Sequence, residues 1–402
     1  MRVGRGRSER SEAMAVAELI VDPGGAEALA EEWDELAVAS GQPTSSPAWM
    51  LAWWRHVAAR GTLLQIVAVR DQGQLVGVVP LQVGGGSGLH RPAYRLLGDD
   101  LGTTVTPLSR PNREWEVAKA TAELLAAREL PPHPIELGPI PAFSPWAAAL
   151  REGWPGPLRP LAWRRNLSPF PTLDLKGRSF DGWLAERSGR FRSNVRRYRR
   201  LFAQAGGTYR RSTSETVAAD ARIFLNLHCS RFEQRGASRL FAFGDRLSTF
   251  LEDVAGVLIA SGRFRLLLLE VDGQPICADL WLAAGGEVTG FNVGWDTRYR
   301  HLSPPRLAFL HTLEDACERG ERRLNLGLGN IEYKRAYANS EDAVSWEVLL
   351  PGYRNFVSFL PRAVSGVASA RVRHTAKRWL TDGQQSRLLE LRSAAARRRA
   401  RS

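Results

Sequence analysis

Apolar and polar residues alternate along residues 63 to 70 (LLQIVAVR), a spacing of two that predicts a β-strand. Asp71, Gln72 and Gly73 follow as a turn, and residues 75 to 83 (LVGVVPLQV) form the returning strand. The same phrase recurs in the second half. Residues 264 to 271 (FRLLLLEV) are a strand, Asp272-Gly273 a turn, and residues 275 to 283 (PICADLWLA) a second strand. Both hairpins close on Asp and Gly, whose backbones tolerate positive φ. The likeness extends outward. Helical periodicity over 47 to 59 precedes the first hairpin, and over 216 to 235 the second. After each comes an amphipathic helix (113 to 128, 306 to 319) and a short strand (135 to 138, 324 to 327). Each half gives helix, hairpin, helix, strand. A duplicated unit is the economical explanation.

Pro155, Pro157, Pro160, Pro169 and Pro171 separate the halves and predict an irregular crossing. This organisation gives a basic tail over 1–13, units over 14–170 and 171–360, and a basic helical or disordered tail over 361–402. Met14 is a candidate for the true start. Residues 363 to 380 could form a basic amphipathic helix, which either lies on an anionic membrane or is a solvated tail. No apolar run approaches the ~18 residues that span a bilayer.

With 402 residues, 44% hydrophobic and 24% charged, the chain has the composition of a folded protein with ample core. The formal charge of +13 favours phosphate-bearing substrates, nucleic acid or anionic membrane. Much of it, however, sits in the two tails. Three widely spaced cysteines (Cys229, Cys277, Cys317) make no disulfide framework, which points to a reducing, cytoplasmic setting. Neither they nor the seven histidines show a metal-ligand spacing.

The chemistry concentrates in three stretches. Residues 324 to 335 (LNLGLGNIEYKR) run a short apolar strand containing Asn325 into glycines, then into Glu332, Tyr333, Lys334 and Arg335. Lys334 is one of four lysines in an arginine-biased chain. Its compact ammonium can titrate and reach a single oxygen. A solvated post-strand turn is the competing reading. The second stretch, 191 to 202, puts Phe191, Val195, Tyr198, Leu201 and Phe202 on one helical stripe. Arg192, Arg196, Arg199 and Arg200 lie off it, either to grip phosphate or carboxylate or as a solvated face. The third stretch, 290 to 307, ends a strand at Gly294, then gives Trp295, Asp296, Tyr299 and Ser303-Pro304-Pro305-Arg306-Leu307. Ser303 predicts an N-cap and Pro304 the first helical position. An anion could meet the Arg306 and Leu307 N–H groups and the Arg306 side chain, because Pro305 offers no donor. Asp279, inside an apolar strand beside Trp281, and Asp296 are candidate carboxylates for proton handling.

Strand, Asp-Gly turn, strand, Gly-Trp-Asp, Ser-Pro-Pro helix and a strand ending Gly-x-Gly-x-x-x-Tyr-Lys together resemble the CelD/BcsL-type (cellulose biosynthesis) acetyltransferases. These belong to the GNAT superfamily and are akin to the FemAB peptidyltransferases. The resemblance covers roughly 180 to 350, more weakly Ser46 to Trp49 and Val79 to Leu81. It implies an α+β fold of two tandem GNAT-like units, each a mixed, mostly antiparallel sheet flanked by helices. It implies an acyltransferase that moves an acetyl or longer acyl group from acyl-CoA, without a metal, to an amine or hydroxyl. The acceptor would be a small sugar, lipid or amino-acid-like molecule, in envelope or exopolysaccharide synthesis. Asp296 or Glu332 would be the base, and Tyr333 or Tyr299 the acid. Ser303, Arg306, Leu307 and Lys334 would hold the donor. Arg192, Asn194, Arg196, Asp279, Trp281, Trp295 and Asn325 would line the acceptor side. The Ser-Pro-Pro loop is poorer in donors than the glycine-rich loop typical of GNAT enzymes. FemAB relatives use aminoacyl-tRNA instead, and that donor, or a non-catalytic accessory role in polysaccharide export, is the alternative.

Overall fold

In the computed structural model, residues 15–84, 92–128, 133–233, 240, 243–328 and 332–352 are described, with the side chains of 231–233 and 332–333 outside that description. The N-terminal unit runs β1 (Val16–Ile20), α1 (Pro23–Ala28), α2 (Ala30–Ala39), α3 (Pro47–His56), β2 (Leu63–Asp71), β3 (Gln74–Val83), β4 (Tyr94–Leu96), β5 (Leu108–Ser109), α4 (Glu114–Arg128), β6 (Ile135–Pro141) and α5 (Trp146–Glu152). A linking strand β7 (Leu161–Asp174) follows. The C-terminal unit runs α6 (Phe180–Ala185), α7 (Gly189–Gln204), β8 (Gly207–Arg211), α8 (Val217–Glu233), α9 (Arg246–Leu258), β9 (Phe264–Val271), β10 (Gln274–Ala284), β11 (Glu287–Trp295), a 3-10 turn (Thr297–Leu302), α10 (Pro304–Glu318), β12 (Arg323–Asn325), α11 (Glu332–Tyr337) and β13 (Ser340–Leu350).

The duplication is visible in the pairing. Strands join in the order β1-β2-β3-β4-β6-β13-β7-β12-β11-β10-β9-β8, so one half mirrors the other about a central β13–β7 pair. In each half four strands are antiparallel and the last step, β4 to β6 or β11 to β12, is parallel. The two matching hairpins turn at Gln72-Gly73 (φ 49 and 82) and Asp272-Gly273 (φ 50 and 73). Positive φ at both central residues matches the twist of paired strands. The fold is thus α+β, two GNAT-like units whose sheets are fused into one.

The predicted irregular crossing is instead the 14-residue strand β7. Pro169 and Pro171 hid it. Leu326 N–H donates to Pro171 O (3.1 Å), so the ring nitrogens of both prolines face the β12 side. Pairing with β12 starts only at Thr172, and a missing donor costs nothing there. β7 also runs through the boundary drawn at 170/171. After it the units exchange strands: β7 pairs with β12, and β13 with β6.

One hydrophobic core spans both units. Trp49 of α3 packs edge-on against Phe250 of α9 (4.7 Å) and Phe291 of β11 (5.2 Å). Each such buried side chain stabilises the junction by about 2 kcal/mol, which ties the halves together. On the opposite sheet face, α6, α7 and α10 cover two smaller apolar clusters. No described helix is long and apolar enough to cross a membrane. Met14, the basic start and the 363–380 segment lie outside the described residues.

Candidate active site

The parallel pair β11–β12 holds for only three residue pairs, ending at Thr289–Asn325. β11 continues to Trp295 while the other chain turns away at Gly327 (φ 79). Among the described residues, no backbone group of 290–294 pairs with the chain that follows Asn325. A gap with a free strand edge therefore opens toward the end of β11. Two features shape that wall. Leu280 opposes Asn292 and Trp281 opposes Gly290, so Phe291 is the extra residue of a β-bulge. Gly294 lies so close to α8 that an added Cβ would sit 2.4 Å from His228 N and 2.8 Å from Phe224 O.

Lys334 stands where the gap begins. It is 8% exposed and donates through Nζ to Gly327 O (3.1 Å) and Leu328 O (2.9 Å). These carbonyls have left the sheet, and the ammonium serves them as a point charge where a guanidinium fork would need more room. A Cβ added at Gly327 would lie 3.4 Å from Gly290 O and 3.5 Å from Lys334 Nζ, so the three are neighbours. Burial pushes the Lys334 pKa down to about 8. Beside it, Asn325 donates to Thr289 Oγ1 (3.3 Å) and Glu287 Oε2 (3.5 Å). Burial raises the Glu287 carboxyl.

The start of α10 differs from the sequence expectation. Ser303 adopts the left-handed conformation (φ 56, ψ 52) and makes no side-chain cap. Its carbonyl accepts from both Arg306 N (3.0 Å) and Leu307 N (3.2 Å). With Pro304 and Pro305 lacking N–H, the helix start offers an anion no free amide there. What remains is the Arg306 side chain. Its Nη1 donates to Tyr198 Oη (2.6 Å), and its guanidinium lies 5.6 Å from the Tyr198 ring. Tyr198 escaped the sequence reading because it sits on the apolar stripe of α7; an aromatic at the stripe's edge was the available signal.

The other candidates divide by location. Trp295, Tyr299 and Leu307 share an apolar cluster with Tyr198 at the mouth of the gap. Trp281 lies deeper, with Leu326 and Tyr337, in the cluster beside Lys334. Asp279 sits between the two on β10, opposite Val293. Burial pushes its pKa up to about 7. Asp296 caps the 3-10 turn and pairs with its neighbour Arg298 (2.6 Å), which holds its carboxyl below the ordinary range. That engagement leaves it weakly basic. Arg192 Nη1 donates to Ala185 O (2.8 Å) and Arg187 O (2.9 Å), just ahead of α7. Arg196 is exposed and Asn194 half-buried on α7. The side chains of Glu332 and Tyr333 lie outside the described residues.

The N-terminal unit repeats the parallel step but closes it. After β4 the chain folds back, and Val105 N–H donates to Pro139 O (3.0 Å) across the corresponding opening. Among the described residues no such bond crosses the C-terminal gap.

Residues 189–335 match a family model described as an acetyltransferase (GNAT) domain. The match opens at α7 and closes just past Lys334, taking in both walls of the gap. No curated protein matches the chain. Among solved structures the chain is similar to FemX (TM-score 0.56, 13% identity, 83% of this chain and 98% of that one). It is also similar to a conserved protein of unknown function from Bacteroides thetaiotaomicron (TM-score 0.52, 9% identity, 83% and 99%). A third is the C-terminal domain of a protein named as a lysylphosphatidylglycerol synthetase from Agrobacterium fabrum (TM-score 0.51, 10% identity, 84% and 97%). At these identities the likeness is one of fold. Over residues 189–335 the likeness is to a GNAT acetyltransferase domain, a kind of domain that implies acyl-CoA as acyl source.

Proposed function

We propose that the protein is a GNAT-type acyltransferase acting in the C-terminal gap, with acyl-CoA as donor and an amine or hydroxyl of a small sugar, lipid or amino-acid-like molecule as acceptor. The observation that carries this reading is the parting of β11 from β12 after Thr289–Asn325, beside the buried Lys334 ammonium. In the reaction the acceptor N or O bonds to the thioester carbonyl, the C–S bond breaks, the acceptor loses a proton and the thiolate gains one. The β11 backbone of residues 290–294, unpaired on this edge among the described residues, supplies donors for the oxyanion, the preorganised kind of stabilisation that usually contributes most. Lys334 adds positive charge at the same place. Tyr299 is the described candidate for protonating the thiolate. Because Asp296 is engaged by Arg298, Glu332 is the better base. The test is release of free thiol from acetyl-CoA and longer acyl-CoAs with a panel of amines and hydroxyl compounds, together with calorimetry of each donor. Absence of both heat and thiol release with every donor contradicts it.

One observation favours a second reading. The occupied amides of Arg306 and Leu307 suit a donor without a pyrophosphate at this point, such as aminoacyl-tRNA. It predicts tRNA binding that weakens steeply with salt and no heat with acyl-CoA.

A further inference from the structure

A cavity of about 390 Å³ lies at the end of the C-terminal unit remote from the mouth of the gap. Arg263, just before β9, and Arg265, within it, form one side. Gly285 and Gly286, the turn between β10 and β11, form another, and Arg319 and Glu321, just past α10, a third. Val38 of α2 closes it from the N-terminal unit. Gly285 (φ 54) lets the turn lie against α2, where an added Cβ would sit 2.0 Å from Val38 O. Gly286 precedes β11 and Trp295 ends it. The nine residues of that strand, roughly 30 Å at ~3.3 Å each, separate the cavity from the gap mouth.

The cavity is lined by three arginines and one carboxylate. Arg263 is fully engaged as a fastener between the units: Nη1 and Nη2 donate to Asp34 of α2 (2.5 and 3.0 Å). The other two are not. Arg265, whose side chain is 11% exposed, gives Nε to Gly262 O (2.7 Å) and Nη2 to Glu321. Its Nη1 is buried with no hydrogen-bond acceptor, and the Asp315 carboxylate stands 3.8 Å from it. Arg319 gives Nε to Asp315 (2.7 Å), while neither of its Nη groups makes a hydrogen bond among the described residues. A Cβ added at Gly262 would lie 2.9 Å from Arg319 Nη1, so both guanidiniums converge on that turn. Arg211 also draws on Asp315 (2.8 Å). Three guanidiniums (Arg211, Arg265, Arg319) thus meet two carboxylates (Asp315, Glu321). One positive charge is left over, together with a buried donor whose lack of an acceptor destabilises the fold.

An oxyanion answers both needs, since guanidinium groups bind phosphate and carboxylate through charge-assisted hydrogen bonds. The volume is at the small end of the range for small-molecule sites and exceeds that of a bare ion. We propose that this cavity is a second binding site, taking the phosphate or carboxylate of a small metabolite, with the Arg319 Nη groups as donors over a floor charged by Arg265. It acts by binding alone; no bond is made or broken there. Its distance from the gap makes it independent of the acyl-CoA reading.

The experiment uses the full chain carrying Arg306→Ala, which removes the anion-binding side chain at the gap. Calorimetry at constant ionic strength titrates it with sodium phosphate, glucose 6-phosphate and glucuronate. Saturable binding of at least one is expected, with a thermal midpoint that climbs with its concentration. Preference among the three distinguishes phosphate from carboxylate. Adding Arg319→Gln should weaken that binding about tenfold, the scale for a hydrogen bond to a charged group. Val38→Glu, at a 37% exposed side chain, keeps the test open if Arg319→Gln fails to fold. It places a carboxylate at the rim and should cost a similar factor while abolishing most of the midpoint rise. No saturable binding of any of the three overturns the site. So do affinities that neither variant changes, which would mark the arginines as a structural network only.

Discussion

Replacing Asp279 by Asn should change how the fold responds to pH. Burial raises the Asp279 pKa from 3.8 to about 7, so the folded protein holds this proton more tightly than the unfolded chain does. The sign follows from linkage: stability is fully present below about pH 4 and is lost as pH rises through about 7. The interval from 3.8 to about 7, at about 1.4 kcal/mol per pH unit, amounts to a ceiling of about 4 kcal/mol. Asp279→Asn cannot ionise and escapes that loss. Other groups titrate alike in both proteins, so the difference between them isolates this one. At about 2 °C per kcal/mol for a chain of this size, the variant's midpoint should gain up to about 8 °C on wild type between pH 4.5 and pH 8.5. Thermal melts at four pH values across that range are the assay. A constant offset at every pH, or a gap that narrows toward alkaline pH, refutes the claim that burial raises the Asp279 pKa.

Three further outcomes follow from the same geometry. Lys334→Met should lower turnover by about 100-fold, the scale for losing an oxyanion-side donor, while wild-type activity should fall as pH rises through about 8, where burial lets the ammonium discharge; pH–rate profiles check both. Gly294→Ala would drive a Cβ to 2.4 Å from His228 N, a clash with helix backbone that should cost about 3 kcal/mol, read as a lowered urea midpoint. Arg306→Ala should weaken inorganic pyrophosphate and coenzyme A about tenfold and flatten the salt dependence, with Tyr198→Phe costing about threefold through the lost Arg306 partner; equal affinities in calorimetry would remove Arg306 from the anion site.

The hairpins, the α10–β12 succession and the repeat were legible because each rests on local alternation and turn chemistry. β7 was not, because Pro169 and Pro171 normally argue against a strand, and only the partner's absence on one side makes them harmless. The exchange of β7 and β13 between units is a long-range pairing that no local pattern announces. Lys334 stood out by residue type, and its burial agrees with a specific role for a lysine. Asp279 was legible as a carboxylate in an apolar strand, but its lack of an arginine depends on which elements meet across the fold. Ser303 shows the limit of motif chemistry. Its residue type suits an N-cap, yet its side chain makes no cap, its carbonyl accepts the Arg306 and Leu307 N–H groups, and the backbone adopts a left-handed turn.

The most direct test of the central claim is amide hydrogen exchange along β11 with and without a bound acyl-CoA. If the parted strands are the reaction cleft, ligand should slow exchange at residues 290–295, the stretch of β11 beyond its last pair with β12, and leave the matching N-terminal opening at 97–107 unchanged. Protection confined to the N-terminal unit, or ligand binding that leaves 290–295 exchanging as before, would contradict it.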